Sequence, residues 1–217
     1  MVFFEKNKAH VFCPGLYGET VGYTVGEDIG IVCSEDEVYE RLCEAADASI
    51  GIPITAVLRF EGTPGEREQT FRSRVRAVYR ASVWGQFSLL CVGASLPEHV
   101  CSIYEALRDA FCELESEGRE FNGFIKKGIE IDTPLLLYKF PTYLKFDFFC
   151  FDIDRLMHLC ACRDESDALK RVISDDILSL CSSSHGTELA VRSLDVAQAR
   201  RISDCLPSES VKRIYVK

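Results

Sequence analysis

Phe71-Arg72-Ser73-Arg74-Val75-Arg76-Ala77-Val78-Tyr79 is the stretch whose reading decides the fold. Phe71, Val75, Ala77 and Tyr79 all fall on one side at the two-residue period of a strand, with Ser73 between the first two. The spacing predicts a strand, with Arg72, Arg74 and Arg76 on its other face, Arg80 just beyond and Val78 as the one break. Working backward, Ile54 to Phe60 reads as a neighbouring strand, and Glu61-Gly-Thr-Pro-Gly65 as the hairpin turn between them. Working forward, Gln86 to Val92 reads as a third strand.

Helices flank this block. Ser34-Glu-Asp-Glu37 is a capping box, in which the Ser34 hydroxyl and the Glu37 carboxylate each satisfy a backbone N–H of the other residue. It opens a helix to about Ala48 with Val38, Leu42, Ala45 and Ala46 on one face. Ser95-Leu-Pro-Glu98 repeats the pattern ahead of an apolar stripe, Val100, Ile103, Tyr104, Leu107, Ala110, Phe111 and Leu114, which Gly118 stops. Upstream, His10 to Cys13, Thr20 to Thr24 and Asp28 to Cys33 read as short strands. From Glu120 the texture changes. Leu135 to Phe140 and Tyr143 to Phe151 read as an aromatic hairpin. Asp152 can cap a helix to Cys162, and Asp164 one to Cys181. The tail reads as strand (Glu188 to Arg192), helix (Asp195 to Leu206) and strand (Val211 to Val216).

The element order over residues 10–118, with Arg76-Ala-Val-Tyr-Arg80, Phe87-Ser-Leu-Leu-Cys91 and the amphipathic helix Ile103 to Leu114, resembles the longin and roadblock domains. These are profilin-like modules of SNAREs, adaptor small subunits and GTPase regulators. The connection Ser82 to Gln86 departs from that pattern, and no SNARE heptads follow. The resemblance implies an α+β fold: a longin-like mixed sheet with flanking helices over residues 1–119, and a smaller α+β region over 120–217 packed on it. It also implies a non-enzymatic interaction or scaffold module, in intracellular trafficking or GTPase regulation.

Composition narrows the classes. The 217 residues are 47% hydrophobic and 27% charged, enough apolar surface for a packed core. No run approaches the ~20 apolar residues of a bilayer span, and no signal peptide is read at the N-terminus. A net charge of −9 disfavours nucleic acid as the main partner. The 11 cysteines cannot all pair within one chain, form no C-x-x-C, and mostly occupy apolar positions (Cys33, Cys43, Cys91, Cys101, Cys112 and Cys150). Reduced thiols in a cytoplasmic compartment, with the nucleus as alternative, are expected.

The candidate partner-binding residues are Arg59, Arg72, Arg74, Arg76 and Arg80, with Phe149 and Phe151. An arginine row suits a protein partner with an acidic surface, because guanidinium forks match carboxylates; the alternative ligand is RNA or a ribonucleoprotein. The competing reading is a solvated face neutralised by Glu61, Glu66 and Glu68. Phe149 and Phe151 form either an aromatic patch or a core strand. His158 with Cys162 and Cys181 with His185 match no standard zinc module, so no metal and no cofactor are expected. No nucleophile, Walker or dinucleotide motif occurs. His99 and Cys101, two apart in a predicted helix, point in different directions. No catalytic residue is assigned, and an enzyme with an unrecognised, thiol-dependent site stands as the third reading.

Overall fold

The fold is seen in a computed structural model that describes residues 8–12, 19–25, 34–48, 53–61, 63, 65–139, 145–159, 188–193 and 211–216, the first two and the last as backbone strands. Three stretches carry apolar residues on both faces: Ile54–Arg59 (β3), Phe87–Val92 (β4) and Phe148–Asp152 (β6). A strand buried on both sides needs cover above and below, which is the setting of parallel strands joined by helical crossovers. β3 and β4 pair in parallel, with Ile54 opposite Phe87. With Lys8–Phe12 (β1), Glu19–Val25 (β2), Lys126–Ile131 (β5), Glu188–Ser193 (β7) and Val211–Val216 (β8) they close a barrel in chain order. β2 through β8 run parallel, and β1 is antiparallel to both β2 and β8.

Parallel pairing of β3 with β4 rules out a hairpin between them. Residues 71–79 lie in a helix instead, α2 (Glu66–Ala81), which corrects the predicted strand and the predicted turn at 61–65. Phe71, Val75 and Val78 also fit helical spacing, and they are buried against the barrel wall. Glu66 and Glu68 sit in the first turn, where the helix dipole favours acids. Gly65 precedes it at φ 90°, a conformation open to glycine. The longin-like mixed sheet is overturned with it: the described strands form a closed, mostly parallel barrel.

Other expectations hold more closely. α1 spans Glu35–Ala48 behind the reciprocal Ser34–Glu37 hydrogen bonds. α3 spans Pro97–Ser116, and Gly118 follows it at φ 64°. Its N-cap is Leu96 rather than Ser95, and no side chain caps it. The aromatic hairpin is replaced by a short helix, α4 (Pro134–Tyr138), and by β6. α5 (Ile153–Leu159) follows β6 directly, and Asp152 Oδ1 accepts from the Arg155 N–H at 3.1 Å. The boundary expected between residues 119 and 120 falls between α3 and β5, and strands from both sides belong to the one barrel. The predicted strand 28–33 and the helices 164–181 and 195–206 lie outside the described residues.

Strand alternation divides the interior into layers. At the N-terminal floor, Thr55 Oγ1 and Ser88 Oγ are hydrogen-bonded at 3.0 Å, and Lys126 is ion-paired with Glu188. Above it Val57, Leu90, Val92, Phe148, Cys150 and Ala190 form an apolar plug. Gly128 makes that plug possible, because a Cβ there would stand 2.2 Å from the Phe148 ring. A second, larger core lies between the wall and α1–α3 and includes Leu58, Phe71, Val75, Ile103, Leu107 and Ile129. Phe149 and Phe151 are wholly buried in it.

Candidate functional site

Above the apolar plug the strand ends turn polar. Glu130 is the last inward position of β5, and Arg192 falls on the matching face of β7. The Arg192 guanidinium donates to Glu130 Oε1 at 2.6 Å, passing over the intervening β6. One residue past the Ile131–Phe151 pair come Asp132, just beyond the end of β5, and Asp152, the last residue of β6. Arg155, on the first turns of α5, brings Nη1 to 2.7 Å from Asp132 Oδ2. Arg59 ends β3 on the lumen side of Val57 and lies 3.7 Å from Glu61.

Glu130, Asp132 and Asp152, with Arg59, Arg155 and Arg192, make a charged layer at the C-terminal mouth. Burial pushes the Glu130 carboxyl above the usual range; Arg192 opposes the shift, and Asp152 and Asp132 reinforce it. Asp132 is likewise raised by burial, opposed by Arg155 and reinforced by Asp152. Burial also works against the Arg192 charge, and Glu130 more than offsets it. The three acids have different duties. Glu130 is held by Arg192, and Asp152 caps α5. Asp132 is 1% exposed, and the Arg155 guanidinium balances its charge.

The predicted arginine row has a different place. On α2, Arg72, Arg76 and Arg80 share one face at helical spacing. Arg76 donates to Glu35 at 2.6 Å, to Glu113 at 3.1 Å and to Glu117 at 2.8 Å, tying α2 to α1 and α3. Arg80 binds Glu35 and Asp36 and lies 4.2 Å from the Tyr39 ring centroid. Arg72 reaches Glu113 at 3.4 Å. Arg74 is buried on another face. The geometric premise of a docking row on a strand is thereby removed. Of the five arginines, only Arg59 lies at the mouth.

Sequence reasoning overlooked Glu130, Asp132, Arg155 and Arg192. A signal existed in Ile129-Glu-Ile-Asp132, where acids interrupt an apolar strand at its inward period. Of the His–Cys pairs that the sequence reading set aside as metal ligands, Cys162, Cys181 and His185 lie outside the described residues. Among the described cysteines, Cys43, Cys91, Cys101 and Cys112 are free thiols. Cys101 and Cys112 are exposed, contrary to their expected apolar placement.

The barrel can now be set beside known structures. The chain has a TIM-barrel-like fold. A crystal structure of an HpcH/Hpal aldolase/citrate lyase family protein from Burkholderia cenocepacia superimposes with a TM-score of 0.57 at 12% identity, covering 89% of this chain and 76% of that one. A standalone versatile EAL protein from Vibrio cholerae, in its c-di-GMP-bound form, superimposes with a TM-score of 0.53 at 14% identity, covering 97% and 89%. No family model and no curated protein matches the sequence. At these identities the likeness concerns the fold. It overturns the longin resemblance, and with it the reading as a non-enzymatic trafficking or GTPase-regulating module. Among the described residues, no helix is long and apolar enough to cross a membrane.

Proposed function

We propose that this protein is an enzyme-like barrel that binds a small anionic ligand at its C-terminal mouth and exchanges a proton with it through Asp132. The observation that carries this reading is the gathering of Glu130, Asp132, Asp152, Arg155 and Arg192 on and just beyond three consecutive strands, β5 to β7. In barrels of this class the C-terminal mouth is where ligands and chemistry reside, because loops of many strands converge there. Arg59 and Arg155, half-exposed, supply guanidiniums for carboxylate or phosphate groups. Glu130 and Arg192 act as positioning residues that hold the inner wall.

The structural neighbours suggest the first ligands to try. One is described as c-di-GMP-bound and the other belongs to an aldolase/citrate lyase family. A protein partner with an acidic surface has no part in this reading, because Arg72, Arg76 and Arg80 are occupied by α1 and α3. We place the chain in a reducing compartment, the cytoplasm by preference, on the strength of its odd cysteine count and free thiols.

The test is calorimetric titration with c-di-GMP, citrate and a broad panel of carboxylate and phosphate metabolites. Binding by one of them, weakened by Arg59→Ala and by Arg155→Ala, supports the reading. Failure of every anion, or binding indifferent to both substitutions, overturns it. Asp132→Asn should preserve binding and abolish turnover of the ligand identified.

A further inference from the structure

A second concavity lies at the other end of the molecule. β5 runs from Lys126 to Ile131, so its start is about 17 Å from its end at the mouth, at about 3.3 Å per residue. There α3 and the segments that lead into β5 and β6 enclose a cleft of about 340 Å³. Its walls include Tyr104, Phe111, Phe124 and Phe146, and its cations are Arg108, Lys127 and Lys145.

The cleft is held open by local chemistry. Gly123 lets the Phe111 ring lie against the backbone, because a Cβ there would come within 2.3 Å of that ring. Asn122 Oδ1 accepts from the Phe124 N–H at 3.0 Å and fixes the turn. Phe124 meets Phe111 edge to face at 5.8 Å, yet remains 88% exposed. A large aromatic side chain held in place and left in water is a surface waiting for cover. Lys127 Nζ donates to the carbonyls of Gly123 and Ile125 at 2.7 and 3.2 Å, leaving one of its three donors beyond these two bonds. Burial lowers its pKa, and Asp147 opposes that shift. Lys145 lies 4.7 Å from the Tyr104 ring centroid. The one acid in the lining, Asp147, is already engaged by the Lys127 backbone N–H at 2.7 Å.

We propose that this cleft is a binding site for a small aromatic anion, whose ring stacks on Phe124 and Phe111 and whose charged group meets Lys127 and Lys145. The volume falls in the range of small-molecule sites, and apolar walls with a few convergent cations are their usual make-up. The site is separate from the mouth and draws on none of its residues, so it stands or falls independently of the proposed function.

The experiment is an amide NMR titration of the full chain with 2-naphthalenesulfonate, and with neutral 2-naphthalenemethanol as the uncharged control. The sulfonate should shift the amides of Tyr104, Gly123, Phe124 and Lys127. Phe124→Ala and Lys145→Glu, both at exposed positions, should each weaken it about five- to tenfold, as loss of one aromatic or charged contact implies. The neutral alcohol should bind more weakly than the sulfonate. Absence of shifts at those amides, or affinity unchanged in both variants, overturns the site. Equal affinity for the neutral alcohol overturns its preference for anions.

Discussion

Arg192 on β7 reaches across β6 to hold the Glu130 carboxylate of β5 at 2.6 Å, so two strands that do not pair are tied together inside the barrel. The tie sits directly above the apolar plug that contains Cys150. Removing one partner leaves the other buried without its counter-charge. Arg192→Met should cost about 3–5 kcal/mol. The double variant Arg192→Met with Glu130→Gln should recover a good part of that loss, because no buried charge then remains. Denaturant melts of the two single variants and the double variant check this. A double variant no more stable than Arg192→Met would show that the pair does not act as a unit.

Glu130 and Asp132 also make a prediction about pH. Both carboxyls are raised by burial from ordinary values of 4.5 and 3.8. The folded state therefore holds these protons more tightly than the unfolded chain does. Their contribution to stability is present below the ordinary values and lost as pH rises through the raised folded values. Melts taken upward from about pH 4 should show wild-type stability falling relative to Glu130→Gln as pH rises. A wild type that gains on the variant as pH rises would reverse the sign and contradict the assigned burial.

Gly128 and Phe148 form a matched pair in the plug, with room for the ring only because position 128 lacks a Cβ. Gly128→Ala should destabilise by about 1–3 kcal/mol through overpacking. Adding Phe148→Leu should return part of it. Additive losses in thermal melts would mean that the two positions do not share the same space.

Arg76 binds carboxylates from two neighbouring helices, so its loss should loosen the outer layer. Arg76→Met should cost about 1–3 kcal/mol, the range of hydrogen bonds to charged groups. Arg76→Glu should cost more, since it sets a fourth carboxylate beside Glu35, Glu113 and Glu117. Urea melts measure both. Stability unchanged in Arg76→Glu would return the arginine face to the status of a solvated surface.

Much of the local structure was legible in the residues themselves. The Ser34–Glu37 box, the stripe of α3 and the apolar runs of β3 and β4 carry their signals within a few positions, where capping and periodicity act. Phe71 to Tyr79 did not. Its apolar residues satisfy both the period of a strand and that of a helix, so local pattern alone could not choose. The signals that favour a helix were the acidic first turn at Glu66 and Glu68 and the uninterrupted length from Gly65 to Gly85, too long for an ordinary strand.

By itself the sequence determined that the chain has apolar surface enough for a packed core and where several caps and apolar stripes lie, because burial pattern and capping are local properties. Only the tertiary structure decided that β3 and β4 lie parallel, and that choice made residues 66–81 a crossover helix and turned Arg72, Arg76 and Arg80 toward α1 and α3. The charged mouth was beyond local reading for the same reason. Glu130 and Arg192 are 62 residues apart in the chain and meet only when the barrel closes. Strand order and closure are properties of pairing between distant segments, and no window of sequence contains both partners.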